Sequence, residues 1–179
     1  MTAVVGLDLS LTATGIATPD GVRTLTSKGK ADASLAERCK RLEQLRLRID
    51  MALAGLTVVD LAVIEAPAYG STNGHMHDRS GLWWGVVSWL LHRGIPVAEI
   101  PPALVKRYAT GRGNAGKDEV LTAVVRRYPD VDVSNNNEAD ALVLRAMGCD
   151  QLGAPLVAVP KTHRDALTKV AWPPAAVPA

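Results

Sequence analysis

Three acidic residues stand at positions where acids are costly. Asp8 sits near the end of AVVGLDL (3–9), an otherwise apolar run. Glu65 ends a second such run, VVDLAVIE (58–65). Asp140 lies within EADALVLRAMG, whose other inward positions are Ala, Leu, Val and Met. A charge in such surroundings is expensive unless it is paired or binds a metal. Hard divalent cations take oxygen ligands, and Mg2+ commonly combines a few carboxylates with water and a substrate phosphate. Two such ions close together can activate a water and stabilise the leaving oxygen of a phosphodiester. The competing reading, for each acid taken alone, is a helix cap or a partner for a nearby Arg. Spacing leaves both readings open.

A basic stretch accompanies these acids. Between Arg93 and Arg127 the basic residues are Arg93, Lys106, Arg107, Arg112, Lys117, Arg126 and Arg127, against the acids Glu99, Asp118 and Glu119. The formal net charge of +2 is modest, so the distribution carries the signal. A local basic surface beside an acidic site suits a phosphate polyanion. An ordinary solvated face is the alternative.

Other features narrow the chemistry. His75, His77 and Asp78 form HMHD, but no Cys or distant His completes a tetrahedral zinc set, so a flexible loop is expected there. TGRGNAGK (110–117) is not a phosphate-binding P-loop, because Asp118 follows Lys117 where Ser or Thr is required. Cys39 and Cys149 lack metal-ligand spacing and are expected as reduced core thiols. Trp83, Trp84 and Trp89 share one helix and cannot all face one core, so one is expected to face a partner subunit.

The elements that must position the acids follow from periodicity. Residues 3–9, 14–19 and 21–28 read as an antiparallel three-strand meander, turned at Pro19-Asp20-Gly21. Residues 32–54 read as a helix, with apolar positions at Leu35, Cys39, Leu42, Leu45, Ile49 and Leu53. A strand at 58–65, a loop at 71–79, a helix at 80–93 and a strand at 95–100 follow. Helices are expected at 101–108, 117–128, 137–149 and 161–170, with WPPAAVPA as a loose tail. Strands alternating with helices give an α/β three-layer domain over 1–160, followed by a short C-terminal helix and tail over 161–179. With 179 residues, 47% of them hydrophobic, one domain with a sizeable core is expected. No apolar run spans a bilayer and the N-terminus has no basic region before an apolar stretch, so a cytoplasmic protein is expected.

Several segments resemble RuvC-type Holliday junction resolvases of the RNase H-like superfamily. GLDLSLTATG (6–15) resembles their first strand and turn, and VIEAPAYG (63–70) their second acidic motif. GLWWGVV (81–87) resembles the start of the following helix, PPALVKRYATGRGNAGKDEV (101–120) the basic segment, and NEADALVLRAMG (137–148) the last acidic motif. Order and spacing match to about residue 150. The resemblance implies an RNase H-like fold with a mixed five-stranded sheet. It implies Asp8, Glu65 and Asp140 as ligands of two Mg2+ or Mn2+ ions, with Lys106 and Lys117 near the scissile phosphate. Arg107 and Arg112 would add DNA contacts, and Tyr69 would stack on a base at the junction centre. The activity implied is paired nicking of four-way DNA junctions by a homodimer, in a compact bacterial or bacteriophage form, with no nucleotide cofactor.

One position departs from that pattern. The family commonly has Asp or His one helical turn before the last Asp, and here that residue is Asn137. Asn137 is expected as a weak ligand or a water-positioning group, and the adjacent Glu138 as the alternative. The structural readings are Asn137 as an N-cap and Glu138 as a first-turn acid. Three other functions compete: an RNase H-like nuclease for forks, flaps or three-way junctions; an inactive junction-binding relative; and an actin-like ATPase, for which the chain is too short and lacks a second phosphate motif.

Overall fold

A computed structural model describes residues 2–67 and 75–174. Strands β1 (Val4–Asp8), β2 (Ala13–Thr18) and β3 (Gly21–Thr26) form the expected antiparallel meander. Gly21, at φ 134°, takes the backbone through the turn between β2 and β3. Helix α1 (Leu35–Leu53) leads to β4 (Leu61–Glu65), which lies parallel to β1. Helix α2 (Met76–His92) leads to β5 (Val97–Ile100), parallel to β4. The sheet order is β3-β2-β1-β4-β5. Helices α3 (Pro102–Thr110), α4 (Lys117–Arg127), α5 (Asn136–Gln151) and α6 (Lys161–Arg164) follow, then a 3-10 turn at Leu167–Lys169.

Helices cover both faces of the sheet. Val5, Leu7, Ala62 and Ile64 pack with Leu45 and Ile49 of α1 and Leu82, Val86 and Leu90 of α2. Val4, Leu61 and Val63 pack with α3, α4 and α5 on the other face. Each fully buried Leu, Ile or Val contributes ~1.5–3 kcal/mol, so the two faces together hold the sheet between its helices. Strand side chains alternate, so Asp8 falls on the face of Val4 and Glu65 on the face of Val63. That is the α5 face.

Helix α5 lies across β1, β2 and β4. Two glycines permit its close approach. A Cβ on Gly6 would stand 2.1 Å from the Ala141 carbonyl oxygen, and one on Gly15 would stand 2.0 Å from that of Asn137. Arg145 Nε also donates to the Val4 carbonyl at 3.2 Å, tying the helix to β1.

Several boundaries differ from expectation. Helix α1 begins at Leu35 rather than 32, because Ser34 caps it and Glu37 closes a capping box. Cys39 on this helix is exposed, not a core thiol, whereas Cys149 is buried. Leu35 is 78% exposed, so the buried stripe of α1 is carried by Leu45, Ile49 and Leu53. Helix α2 begins at Met76, so most of HMHD is its first turn rather than a flexible loop. The reason is Asp78, buried there and bound by Arg38 Nε at 3.0 and 3.2 Å. The expected helix at 161–170 breaks into α6 and the 3-10 turn. Trp172 is not loose: its indole donates to the Leu167 carbonyl at 3.0 Å and it packs on the α5-side core. Among the described residues, no helix is long and apolar enough to cross a membrane.

Candidate active site

The sheet brings two of the acids together. β1 and β4 are adjacent and parallel, with Leu7 paired to Ile64, so the next residues along each strand, Asp8 and Glu65, end the strands side by side. The indole of Trp83 in α2 donates to the Glu65 carbonyl at 3.0 Å and fixes that strand end from the opposite face. Asp140 arrives from the second turn of α5, on the helix that Gly6 and Gly15 admit.

These three carboxylates line one cleft of about 210 Å³ with Lys106 of α3 and Lys117 of α4. Pro102, Val105 and Val120 supply its apolar wall. Lys117 is the first residue of α4, placed there by the TGRGNAG turn. That turn starts with Gly111 at φ 84°, a left-handed cap that ends α3.

The acids perturb one another. Burial, then the charges of Asp8 and Asp140, push the Glu65 carboxyl up to about 8, and Lys117 opposes this. Burial and the Asp8 charge push Asp140 up to about 6, with Lys117 and Lys106 acting against them. Burial also raises Asp8, while a hydrogen bond with Glu65 and the charge of Lys117 pull it down. The three carboxyls therefore resist full ionisation together, with Glu65 pushed up the furthest. Two lysines do not neutralise three clustered carboxylates, so the site is short of positive charge.

That shortage is the test of whether the residues fit a divalent cation, and they do. The donors are hard oxygens from three separate elements. Among the described residues no group of three His, Cys, Asp or Glu side chains forms a ready-made metal cage. A partly open carboxylate set, completed by water and substrate phosphate, is how Mg2+ is commonly held.

The remaining candidates are distributed as follows. Arg107 is half-buried, does not line the cleft, and has an Nε with no hydrogen-bond partner. Arg112 is exposed and forms an ion pair with Glu119, also outside the cleft. Asn137 lies in the first turn of α5, three residues before Asp140, with its backbone carbonyl against Gly15, and it does not line the cleft. It is not the N-cap; Asn135 is, accepting from the Glu138 amide at 3.1 Å. Glu138 is a correction. Its carboxylate accepts from the Thr24 hydroxyl at 3.0 Å and the Ser134 amide at 2.8 Å, so it latches α5 to β3 and does not reach the cleft. Tyr69 lies outside the described residues. Sequence reasoning missed Trp83 as a support for Glu65. Its only signal was an indole in the helix that follows the second acidic motif.

No family model matches the chain. Among curated proteins, the crossover junction endodeoxyribonuclease RuvC of Synechococcus sp. strain WH7803 is 42% identical over 66 residues, covering 36% of this chain and 43% of that protein. RuvC of Synechococcus sp. strain CC9311 is likewise 42% identical over 66 residues, covering 36% of this chain and 41% of that protein. The match thus spans less than half the length of these relatives. Among solved structures, Thermus thermophilus RuvC superposes with a TM-score of 0.64 at 19% identity, covering 89% of this chain and all of that one. Thermus thermophilus RuvC in complex with Holliday junction substrate gives a TM-score of 0.58 at 20% identity, covering 81% and 91%. The resemblance read from the motifs therefore holds on both counts: the chain is similar in sequence to RuvC over about a third of its length, and over nearly all of it has the RNase H-like fold of RuvC-type resolvases.

Proposed function

We propose that this protein is a metal-dependent, structure-selective DNA endonuclease that resolves four-way junctions by paired nicks. The observation that carries this reading is the convergence of Asp8, Glu65 and Asp140 with Lys106 and Lys117 in one cleft. The similarity to RuvC sequences and the shared fold support it.

Asp8, Glu65 and Asp140 would hold two Mg2+ or Mn2+ ions, and Asn137 would contribute a neutral oxygen or position a water. When bound, such ions supply Lewis-acid activation of a water and stabilisation of the leaving oxygen. The chain's own residues do the rest. Glu65 must give up its proton before it can act as a ligand. Lys117, which already interacts with Asp8, Glu65 and Asp140, steadies their charges and sits where a phosphate oxygen would enter. Lys106 faces Asp140 across the cleft and would neutralise charge on the same phosphate. Arg107, Arg112 and Tyr69 would contact DNA outside the cleft. In-line attack would leave a 5′-phosphate and a 3′-hydroxyl.

Two opposed nicks call for two sites related by symmetry, hence a homodimer. Trp84, 64% exposed, and Leu91, 55% exposed, lie two turns apart on the outer stripe of α2 and offer it a surface. The working place of such an enzyme is a bacterial cytoplasm, whether chromosomal or phage-encoded. The test is cleavage of four-way junctions, forks, flaps, three-way junctions and linear duplex, in Mg2+ and in EDTA. Junctions should be cut fastest, only with metal, and not by Asp8→Asn. Linear duplex cut as fast as junctions would end the resolvase reading.

A further inference from the structure

A second basic cleft lies on the other face of the sheet. β3 leaves the sheet, and α1 and α2 begin, at the end where Asp8 and Glu65 lie, because β3 runs with β1 and the Ser27 amide donates to the Thr12 carbonyl. The segment 27–33 and the first turns of α1 and α2 enclose a cleft of about 370 Å³ there. Its lining includes the cations Lys28, Lys30, Arg38, Lys40 and Arg41 and the acids Glu37 and Asp78, an excess of three positive charges.

The cations divide by what they bind. Arg38 is bound to Asp78, and Lys30 stands 3.7 Å from Glu37. Among the described residues the hydrogen bonds of Arg41 go to neutral acceptors, the Leu11 carbonyl, the Ser27 hydroxyl at 3.0 Å and the Ser27 carbonyl at 3.3 Å, which fix it in place, while its charge adds to that of Arg38 on Asp78. The loop lies directly on it: a Cβ on Gly29 would stand 2.2 Å from Arg41 Nη1. Lys28 and Lys40 are exposed and have no ion-pair partner among the described residues. Five cations against two acids thus leave three positive charges in excess along an open cleft, with Lys28 and Lys40 exposed and unpaired among the described residues. They do not converge on a point with buried donors, as a small anion would require. A polyanion with regularly spaced charges, whose affinity comes from counterion release, fits this layout.

We propose that this cleft binds the phosphate backbone of a DNA arm, across the sheet from Lys106 and Lys117. The inference rests on the nuclease reading and adds a second track to it: one basic surface on each side of the acids, so that a bound arm spans the sheet end.

The test is fluorescence anisotropy of a labelled four-way junction and of a duplex of equal length, with the full chain in Ca2+ and salt varied from about 50 to about 200 mM. Lys28→Gln and Lys40→Gln should each lower the slope of log affinity against log salt by about 1, and the double variant by about 2. Affinity for both DNAs should fall roughly tenfold in the double variant. Lys169→Gln, an exposed lysine far along the chain, should leave slope and affinity unchanged. Equal thermal midpoints for parent and variants show that the fold is kept, which the exposure of both lysines makes the expected result. If the parent binds DNA and the double variant keeps its slope and affinity, the cleft assignment falls and the nuclease reading stands. If the parent binds neither DNA, both fall.

Discussion

Two acids of helix α5, Asp150 and Asp140, have opposite fates. The Asp150 side chain has no solvent exposure, and it accepts from the Tyr108 hydroxyl at 2.9 Å and from Arg164 Nε at 3.0 Å. Arg164 Nη2 lies 2.7 Å from the other oxygen, as an ion pair without good hydrogen-bond alignment. Asp140, nearly three turns earlier, is only half-buried, yet it is pushed up to about 6 because what faces it is burial and another carboxylate. Asp150 is provided with donors by the chain, and Asp140 with competitors. Burial alone does not mark a functional acid; the identity of its neighbours does.

Exchanging the charge at the two positions should separate the two roles. Asp140→Asn should lower junction cleavage by at least about 10²–10³-fold, the loss expected when a preorganised electrostatic group is removed. It should leave the thermal midpoint of the metal-free protein equal or higher, since one of three crowded carboxylates is gone. Asp150→Asn should do the reverse. It keeps an acceptor for Tyr108 but deprives Arg164 of its ion partner, at a cost of ~1–3 kcal/mol, discounted because Arg164 is half exposed. Cleavage by the folded fraction should match the parent. If Asp150→Asn abolished cleavage while remaining folded, the contrast would be lost.

The contrast can also be broken deliberately. Gly15→Ala places a methyl group on the Asn137 carbonyl and must lift the start of α5 from the sheet. Overpacking of this kind costs ~1–3 kcal/mol or more. Stability and cleavage should therefore fall together, because the helix that is displaced carries Asp140. A denaturant titration beside the cleavage assay reads both. A variant that loses stability but cuts at the parent rate would mean that close docking of α5 is not what places Asp140.

Acidity offers a gentler probe. Glu65 keeps its proton up to about 8, against an ordinary value of 4.5. Between these values the folded chain binds a proton that the unfolded chain has released. The contribution of this group to stability is therefore fully present below about 4.5, declines as pH rises, and is lost above about 8. Metal-free protein should lose ~1–3 kcal/mol across that window, less than the full shift because Asp8 and Glu65 titrate together. Urea denaturation in EDTA at several pH values measures the slope, and Glu65→Gln should flatten it. Added Mg2+ should restore stability most at the alkaline end, where the carboxylates are charged. A parent slope that Glu65→Gln leaves intact would place the proton elsewhere.

Much of the sheet was legible because strands write their faces in a period of two. AVVGLDL carries an acid one residue from its end and VVDLAVIE ends in one, and both acids fall on the face that α5 covers. The register that sets Asp8 beside Glu65 was not legible, since pairing depends on which strands become neighbours. Nor was Gly15 as a docking point for α5, because a glycine in a strand looks the same whether it faces solvent or a helix. The role of Glu138 is hidden in the sequence for a related reason. Its partners, Thr24 and the Ser134 amide, are assembled only when β3 meets the start of α5. HMHD reads as a loop in the sequence because Arg38, which holds Asp78 in the first turn of α2, is forty residues away. Local pattern finds the acids, and long-range packing decides which of them are neutralised.

Asn137 is where that distinction is finest. It stands three residues before Asp140, so both project from neighbouring positions of one helix side. Glu138 is committed to Thr24 and Ser134, and Asn137, although it too is not among the residues that line the cleft, is the α5 neighbour whose role a variant can test. An amide oxygen can coordinate a hard cation but adds no charge. Asn137→Asp would add one negative charge beside a set that already resists ionisation. Two effects then oppose each other: stronger attraction for the cation and greater repulsion in its absence. The variant should therefore cut at lower Mg2+, with the half-saturating concentration reduced a few-fold, and should be less stable than the parent in EDTA at neutral pH. Cleavage against Mg2+ and thermal midpoints with and without the ion measure both. If neither moves, Asn137 lies outside the metal's reach, and water or DNA completes the coordination of a three-carboxylate site.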